Sequence, residues 1–229
     1  LHIRKSDVVC IIGSGSGKSI LFNIIAGIYP VINGTITFDG VDITHKAEYR
    51  RAMTIGRIFQ DPTKGTAANM SVEDNMITAE TKGMKRLKIS LNNAKREEFR
   101  EILKQIGLES RLKDNVGLLS GGQRQALTLL MTAMSRPKML LLDEHTAALD
   151  PRNAQIVMDL TERFISEQKL TALMVTHNMQ FAIDFGTRLI MMDEGQIILD
   201  VSGEEKKDLT VDKLVRLFKD IRKKTYATD

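Results

Sequence analysis

The sequence predicts an α/β fold in which a mostly parallel sheet is covered by helices. Two patterns carry that prediction. Short apolar runs of strand length alternate with segments of helical periodicity, the order that builds parallel sheets. Polar clusters follow directly on several of those runs, where the carboxyl ends of parallel strands present ligand sites. Composition agrees with this. A chain of 229 residues, 42% hydrophobic and 27% charged, can bury a substantial core and excludes disordered or collagen-like architectures.

Val8 to Ile12 reads as a buried strand, followed by a Gly/Ser-rich turn and a helix reaching Ile28. Pro30 and Asn33-Gly34 then punctuate the chain. Thr35 to Phe38 alternates as a strand, turns at Asp39-Gly40 and leads into a short Val41–Ile43 segment; Ile55 to Phe59 is the next strand. Residues 66–136 are helical in pattern, with no strand. Ser71-Val72-Glu73-Asp74 is a capping box, and Glu97 to Ile106 is a helix closed by Gly107. Ser120 to Gln123 is a second capping box, opening a helix with Leu127, Leu130, Met131 and Met134 on one face. Strands return at Met139–Leu142, Leu170–Val175, Arg188–Met192 and Gln196–Leu199, the last two paired through Glu194-Gly195. Asp150 caps a helix that Pro151 starts, and Lys213 to Ile221 is the terminal helix. The expected domains are a core with a partial β lobe (1–65 and 137–229) and an inserted helical lobe (66–136).

Thirty-three basic residues against 29 acidic leave a charge of +4, too small and too scattered to indicate a nucleic-acid partner. Lys206-Lys207 and Arg222-Lys223-Lys224 read as solvated faces. Cys10 stands alone among Val8, Val9, Ile11 and Ile12, so it reads as a small core residue in a reducing compartment. No run approaches the roughly 20 apolar residues of a membrane span. No signal peptide opens the chain.

Gly13-Ser14-Gly15-Ser16-Gly17-Lys18-Ser19 lies between the first strand and the first helix. Glycines let backbone N–H groups converge on phosphate oxygens, and the helix N-terminus adds favourable partial charge. Lys18 would bridge the β- and γ-phosphates and Ser19 would ligate Mg²⁺. A plain turn and a dinucleotide fingerprint using Asp39 are the competing readings; the G-x-G-x-G spacing and Lys18 argue against the second. The loop is one residue shorter than G-x-x-x-x-G-K-[ST], with Ile12 where its first glycine belongs, and Ile20 replaces a second hydroxyl. Either nucleotide binds weakly or a residue is missing from the sequence; both stay open at this point.

Met139-Leu140-Leu141-Leu142-Asp143-Glu144 is an apolar strand ending in two carboxylates. Beside a phosphate loop, Asp143 can hold Mg²⁺ through water and Glu144 can polarise an attacking water as general base. Gln60 and His177 end two further strands on the same edge; Gln60 could reach the metal. Leu119-Ser120-Gly121-Gly122-Gln123 is the most specific string. Ser120 caps a helix whose first N–H groups two glycines leave exposed, a second anion site suited to a partner chain's γ-phosphate.

Together these strings resemble the nucleotide-binding subunit of ABC transporters: 13–19 as phosphate loop, Phe59-Gln60-Asp61-Pro62 as Q-loop, and 119–123 as signature. The series continues with 140–144 as acidic strand, Ala148-Leu149-Asp150 as D-loop and Val175-Thr176-His177 as switch strand. The resemblance implies a P-loop NTPase with a RecA-like core, a helical signature subdomain and a partial antiparallel β subdomain. It implies ATP and Mg²⁺ as ligands and a head-to-tail dimer, with each ATP between one chain's phosphate loop and the other's Ser120–Gln123. On it Glu144 activates water and His177 contacts the γ-phosphate. Ser19, Gln60 and Asp143 serve the metal, and Asp150 communicates across the dimer. Expected partners are a second cassette, transmembrane permease subunits and a solute-binding protein, with the chain at the cytoplasmic face of the membrane.

His145, where most members have proline, together with Phe59-Gln60-Asp61-Pro62 and Gly65-Thr66, resembles bacterial small-solute uptake ATPases, with aromatic amino acids as a candidate solute. The family also carries an adenine-stacking aromatic residue ahead of the first strand, so a further segment is expected before Leu1. Two other functions stay in view: a degenerate, non-hydrolysing subunit, motivated by the short loop, and a non-transport ATPase acting on DNA or ribosomes.

Overall fold

Five consecutive apolar residues make Val8–Ile12 (β1) a strand buried on both faces. The computed structural model describes every residue except Ser14, Ser16, 82–91 and 227–229, and the backbone alone for 221–226. The remaining elements begin with α1 (Lys18–Ala26), β2 (Thr37–Phe38), β3 (Val41–Asp42), α2 (Glu48–Arg51) and β4 (Ile55–Ile58). Next come α3 (Val72–Glu80), α4 (Asn93–Lys104), α5 (Gly121–Met134), β5 (Met139–Asp143) and α6 (Pro151–Gln168). The chain finishes with β6 (Thr171–Val175), α7 (Met179–Asp184), β7 (Arg188–Asp193), β8 (Gln196–Ser202), α8 (Gly203–Lys207) and α9 (Val211–Tyr226). Two compact units result, one of Leu1–Ala47, Leu141–Glu144 and Leu170–Asp229, the other of Glu48–Leu140 and His145–Lys169.

In the first unit the strands lie in the order β5-β6-β1-β7-β8. β1 runs parallel to both neighbours, with Val9 opposite Leu173 on β6 and Arg188 on β7. β8 returns antiparallel to β7 through Glu194-Gly195, whose φ values of 47° and 78° match the tight hairpin turns that follow strand twist. β2 and β3 form a separate antiparallel pair around Asp39-Gly40. Helix α1 stops at Ala26, two residues before the expected end. Gly27 enters the left-handed region (φ 86°), and the N–H groups of Gly27 and Ile28 close the last turn onto Ile24 and Asn23. Cys10 is fully buried and its thiol is pushed up to about 12 by burial. Lys206 corrects the expectation of a solvated face. It is buried, and its ammonium donates to the carbonyls of Ile183, Phe185 (2.9 Å) and Gly186 (3.1 Å), capping the end of α7.

In the second unit β4 neighbours the start of β5, and α5 packs against β4, α3 and α6. That packing groups α6 with the helices, although the sequence joins it to the sheet core. Both helices are capped where expected, Ser71 accepting from Asp74 N–H (3.1 Å) and Ser120 from Gln123 N–H (3.3 Å), but only Ser120 closes a full box. At Ser71 the Asp74 carboxylate instead accepts from the Ser71 hydroxyl (2.6 Å). Helix α4 begins a turn earlier than expected because the Asn92 side chain caps it through Lys95 N–H (2.8 Å). Ion pairs Lys95–Glu80 (2.6 Å) and Arg96–Glu73 (2.9 Å) tie α4 to α3. Among the described residues no helix is long and apolar enough to cross a membrane.

Candidate functional site

β1 delivers the chain into a loop whose glycines take backbone conformations that side chains avoid, with φ 135° at Gly13, 60° at Gly15 and 81° at Gly17. Ser14 and Ser16 lie outside the described residues. Gly17 caps α1 without a side chain, so no cap occupies the first N–H groups of the helix and they present positive partial charge. Lys18 follows, only 6% exposed, and its ammonium donates back to the Gly13 carbonyl. Burial lowers the Lys18 pKa, while the charges of Glu144 and Asp143 oppose that shift. A buried cation satisfied by a carbonyl of its own loop fits a site for phosphate oxygens. Ser19 is exposed in the first turn of α1.

The two carboxylates stand at the end of β5. Asp143 is the last strand residue, and Glu144 turns into the left-handed region at φ 46°, a conformation costing a non-glycine residue roughly 1 kcal/mol. Its N–H donates to Val175 O at the end of β6 (3.0 Å). Its Oε1 lies 2.6 Å from His177 Nε2. The Glu144 side chain is 14% exposed and that of His177 62%, so an enclosed carboxylate meets a histidine that faces solvent. The first unit therefore brings together Gly13, Gly15, Gly17, Lys18, Asp143, Glu144 and His177. Beside them lies a small apolar pocket lined by Ile12, Gly13, Thr176, His177, Met191 and Phe218. Phe218 comes from α9, and no sequence signal pointed to it, since the approach of α9 to the switch strand is purely tertiary.

The second unit holds the other expected residues. Gln60 lies two residues beyond β4. At the start of α5 the Gln123 side chain turns back to accept from Ser120 N–H (3.0 Å), completing the box. Gly122 is required by a close approach, for a Cβ there would lie 2.7–2.9 Å from side-chain atoms of Asn153. Asn153 in turn is held by Asp150, whose carboxylate accepts from its backbone N–H (3.1 Å) and its amide Nδ2 (2.5 Å). Ser120–Gln123 and Asp150 are thus neighbours within one chain.

His145 is 2% exposed, with Nε2 3.1 Å from Thr161 Oγ1. Thr161 gives its only hydroxyl proton to Val157 O (2.7 Å), so it must accept from His145, which carries its proton on Nε2. Burial pushes the ring down to about 4 from an ordinary 6.5. Below pH 6.5 the unfolded chain takes up the proton first, so stability is complete above that value and is lost as pH falls toward 4. The loss amounts to about 3 kcal/mol by pH 4. Unfolding midpoints measured from pH 8 to pH 4 are expected to fall across this window, and His145→Asn should flatten the slope. An unchanged slope in the variant would place the acid sensitivity elsewhere.

Residues 1–147 match the ABC transporter family model. The chain is 44% identical over 222 residues to the tyrosine transport ATP-binding protein of Clostridioides difficile (strain R20291), covering 95% of this chain and 88% of that one. It is 34% identical over 202 residues to the glutamate/aspartate import ATP-binding protein of Escherichia coli (strain K12), covering 87% and 81%. Among solved structures, the ADP conformation of an ATP-binding cassette of an ABC transporter superposes with a TM-score of 0.76 at 28% identity, covering 95% and 89%. A dimeric post-hydrolysis cassette bound to ADP and Pi gives 0.73 at 26%, covering 88% of each chain. With its glycine loop, buried lysine and paired carboxylates joined to these matches, the chain belongs to the ABC transporter family as one of its ATP-binding cassettes.

Proposed function

We propose that the chain binds and hydrolyses ATP as the motor subunit of an uptake transporter, closing with a second copy around the nucleotide and driving membrane-embedded permease subunits. The observation that carries this reading is the buried Lys18 inside a glycine loop, with the Glu144–His177 pair at the neighbouring strand end. Lys18 and the first N–H groups of α1 hold the phosphates, and Gly13, Gly15 and Gly17 let the backbone come close to them. Ser19 and Asp143 offer hard oxygen donors of the kind magnesium takes, and we assign Gln60 as a further one. Bound there, magnesium would neutralise charge on the transferring phosphoryl group. Glu144 accepts the proton of the attacking water as general base. His177 holds that carboxylate in place and reaches the γ-phosphate.

Ser120, Gly121, Gly122 and Gln123 reach the partner's nucleotide, and Asp150 passes its state across the dimer. Residues 66–136 form the lobe that engages the permease, which holds the chain at the cytoplasmic face of the membrane; a solute-binding protein completes the system. Tyrosine is the solute named for the 44% identical relative, and an aromatic amino acid is the solute class assigned here. Phosphate release from MgATP tests the reading: the rate per chain is expected to rise with protein concentration as the dimer forms. Nucleotide binding with no phosphate release at any concentration would favour the non-hydrolysing subunit instead.

A further inference from the structure

Helix α5 carries more than Ser120–Gln123 at its start. Gln125, Thr128 and Thr132 recur at intervals of three and four, so they line one face of the helix. All three touch the stretch of chain that contains Gln60. Gln125 Nε2 donates to Phe59 O at 3.0 Å, the carbonyl of the peptide that joins Phe59 to Gln60. Thr128 presses on the 3₁₀ turn Pro62–Gly65 so closely that a Cβ on Gly65 would lie 2.4 Å from its Cγ2. Thr132 does the same at β4, where a Cβ on Gly56 would lie 2.6 Å from its Cγ2. The two threonine hydroxyls donate within α5, to Arg124 O (2.9 Å) and Thr128 O (2.8 Å), which orients their methyl groups.

Gln125 is the one polar link among these contacts, and packing alone does not explain it. The residue is 1% exposed and its Oε1 has no hydrogen-bond partner. A buried acceptor without a partner costs stability, and a leucine of similar size would avoid that cost. What leucine cannot do is hold the Phe59 carbonyl.

We propose that Gln125 is a positioning residue that fixes the Phe59–Gln60 peptide to α5, so that Gln60 moves as one body with Ser120–Gln123. The proposal rests on the ATPase reading and gives it a route within each chain. Engagement of Ser120–Gln123 by the partner's nucleotide reaches Gln60 through a helix rather than a pliant loop. The Gly65–Thr128 contact holds the far side of Gln60, leaving little slack on either flank.

Turnover of MgATP by the full chain, its Gln125→Leu and Gln60→Ala variants and the double variant tests this. Gln125→Leu is expected to lower kcat roughly 10- to 100-fold, the range a displaced positioning group costs. KM for ATP at saturating Mg²⁺ should stay within about twofold, because Lys18 and the glycine loop that hold the phosphates are not touched. The Mg²⁺ concentration for half-maximal rate should rise, and the melting temperature should equal or exceed the parent's. The double variant should be no slower than Gln60→Ala alone, since both changes act through one group. Parent-like kcat in Gln125→Leu, or a double variant slowed by the product of the single effects, overturns the proposal. So does a lowered melting temperature with a matching loss of ATP affinity, which marks a merely structural residue. Parent-like kcat in Gln60→Ala overturns the role of Gln60 itself, and this proposal with it, which separates that failure from failure of the clamp.

Discussion

Glu144→Gln is expected to bind MgATP as tightly as the parent and to turn it over roughly 100- to 10,000-fold more slowly, the contribution of a positioned general base. The prediction follows from how the backbone presents this side chain. β5 is apolar and buried through Leu142, so the chain can turn only once it passes Asp143. At Glu144 it does so through φ 46°, with the N–H pinned to Val175 O at 3.0 Å. That pin joins β5 to the end of β6, two residues before His177. The carboxylate therefore arrives 2.6 Å from His177 Nε2 without depending on a loop. Glutamine keeps the size of the side chain and a hydrogen bond to the imidazole, but it cannot accept a proton from water. The loss should fall on kcat, with ATP affinity intact. A Glu144→Gln chain that releases phosphate at the parent rate would remove Glu144 from the chemistry. The strained φ points the same way, because a glycine would adopt it at no cost and could not act as a base.

The sheet was legible in the sequence because its strands are short apolar runs with no competing signal. β1 falls on Val8–Ile12 as expected, and the expected ends of β4, β6 and β7 differ from the observed ones by a residue. The helix caps at Ser71 and Ser120 were readable for a local reason: cap and capped N–H are three residues apart. Short helices such as α2, α7 and α8 were not anticipated, since four to six residues show no full period. Lys206 was misjudged because nothing in Lys206-Lys207 tells which lysine faces a helix end across the fold. The chemistry-bearing residues were legible as motifs. Their mutual geometry was not, because Glu144 and His177 are 33 positions apart and meet only through strand pairing. Gln125 shows the limit most clearly. As sequence it is a polar residue on an amphipathic helix, and only its contact with Phe59 O gives it a role.

Lys18→Met is expected to weaken ATP binding by roughly 10- to 100-fold, the loss of one charge-assisted hydrogen bond to a buried site. It should do so without unfolding the protein. Burial lowers the Lys18 pKa despite the pull of Glu144 and Asp143, so the charged form is held in the fold at a net cost. Because the folded-state pKa is depressed, the unfolded chain binds the proton more readily, and stability rises with pH only as the ammonium begins to titrate. Methionine keeps the packing of the stem and removes the ammonium, so the nucleotide-free variant should melt at or above the parent's temperature. The Gly13 carbonyl loses its donor, which offsets part of that gain. One pair of melting curves checks both halves. The parent should gain stability as MgATP is raised, because the ligand binds only the folded state, and Lys18→Met should gain far less over the same range. Equal gains in the two proteins would mean that the glycine loop does not hold the phosphates. A lower starting temperature with a full ATP response would mean that Lys18 serves the fold and not the nucleotide.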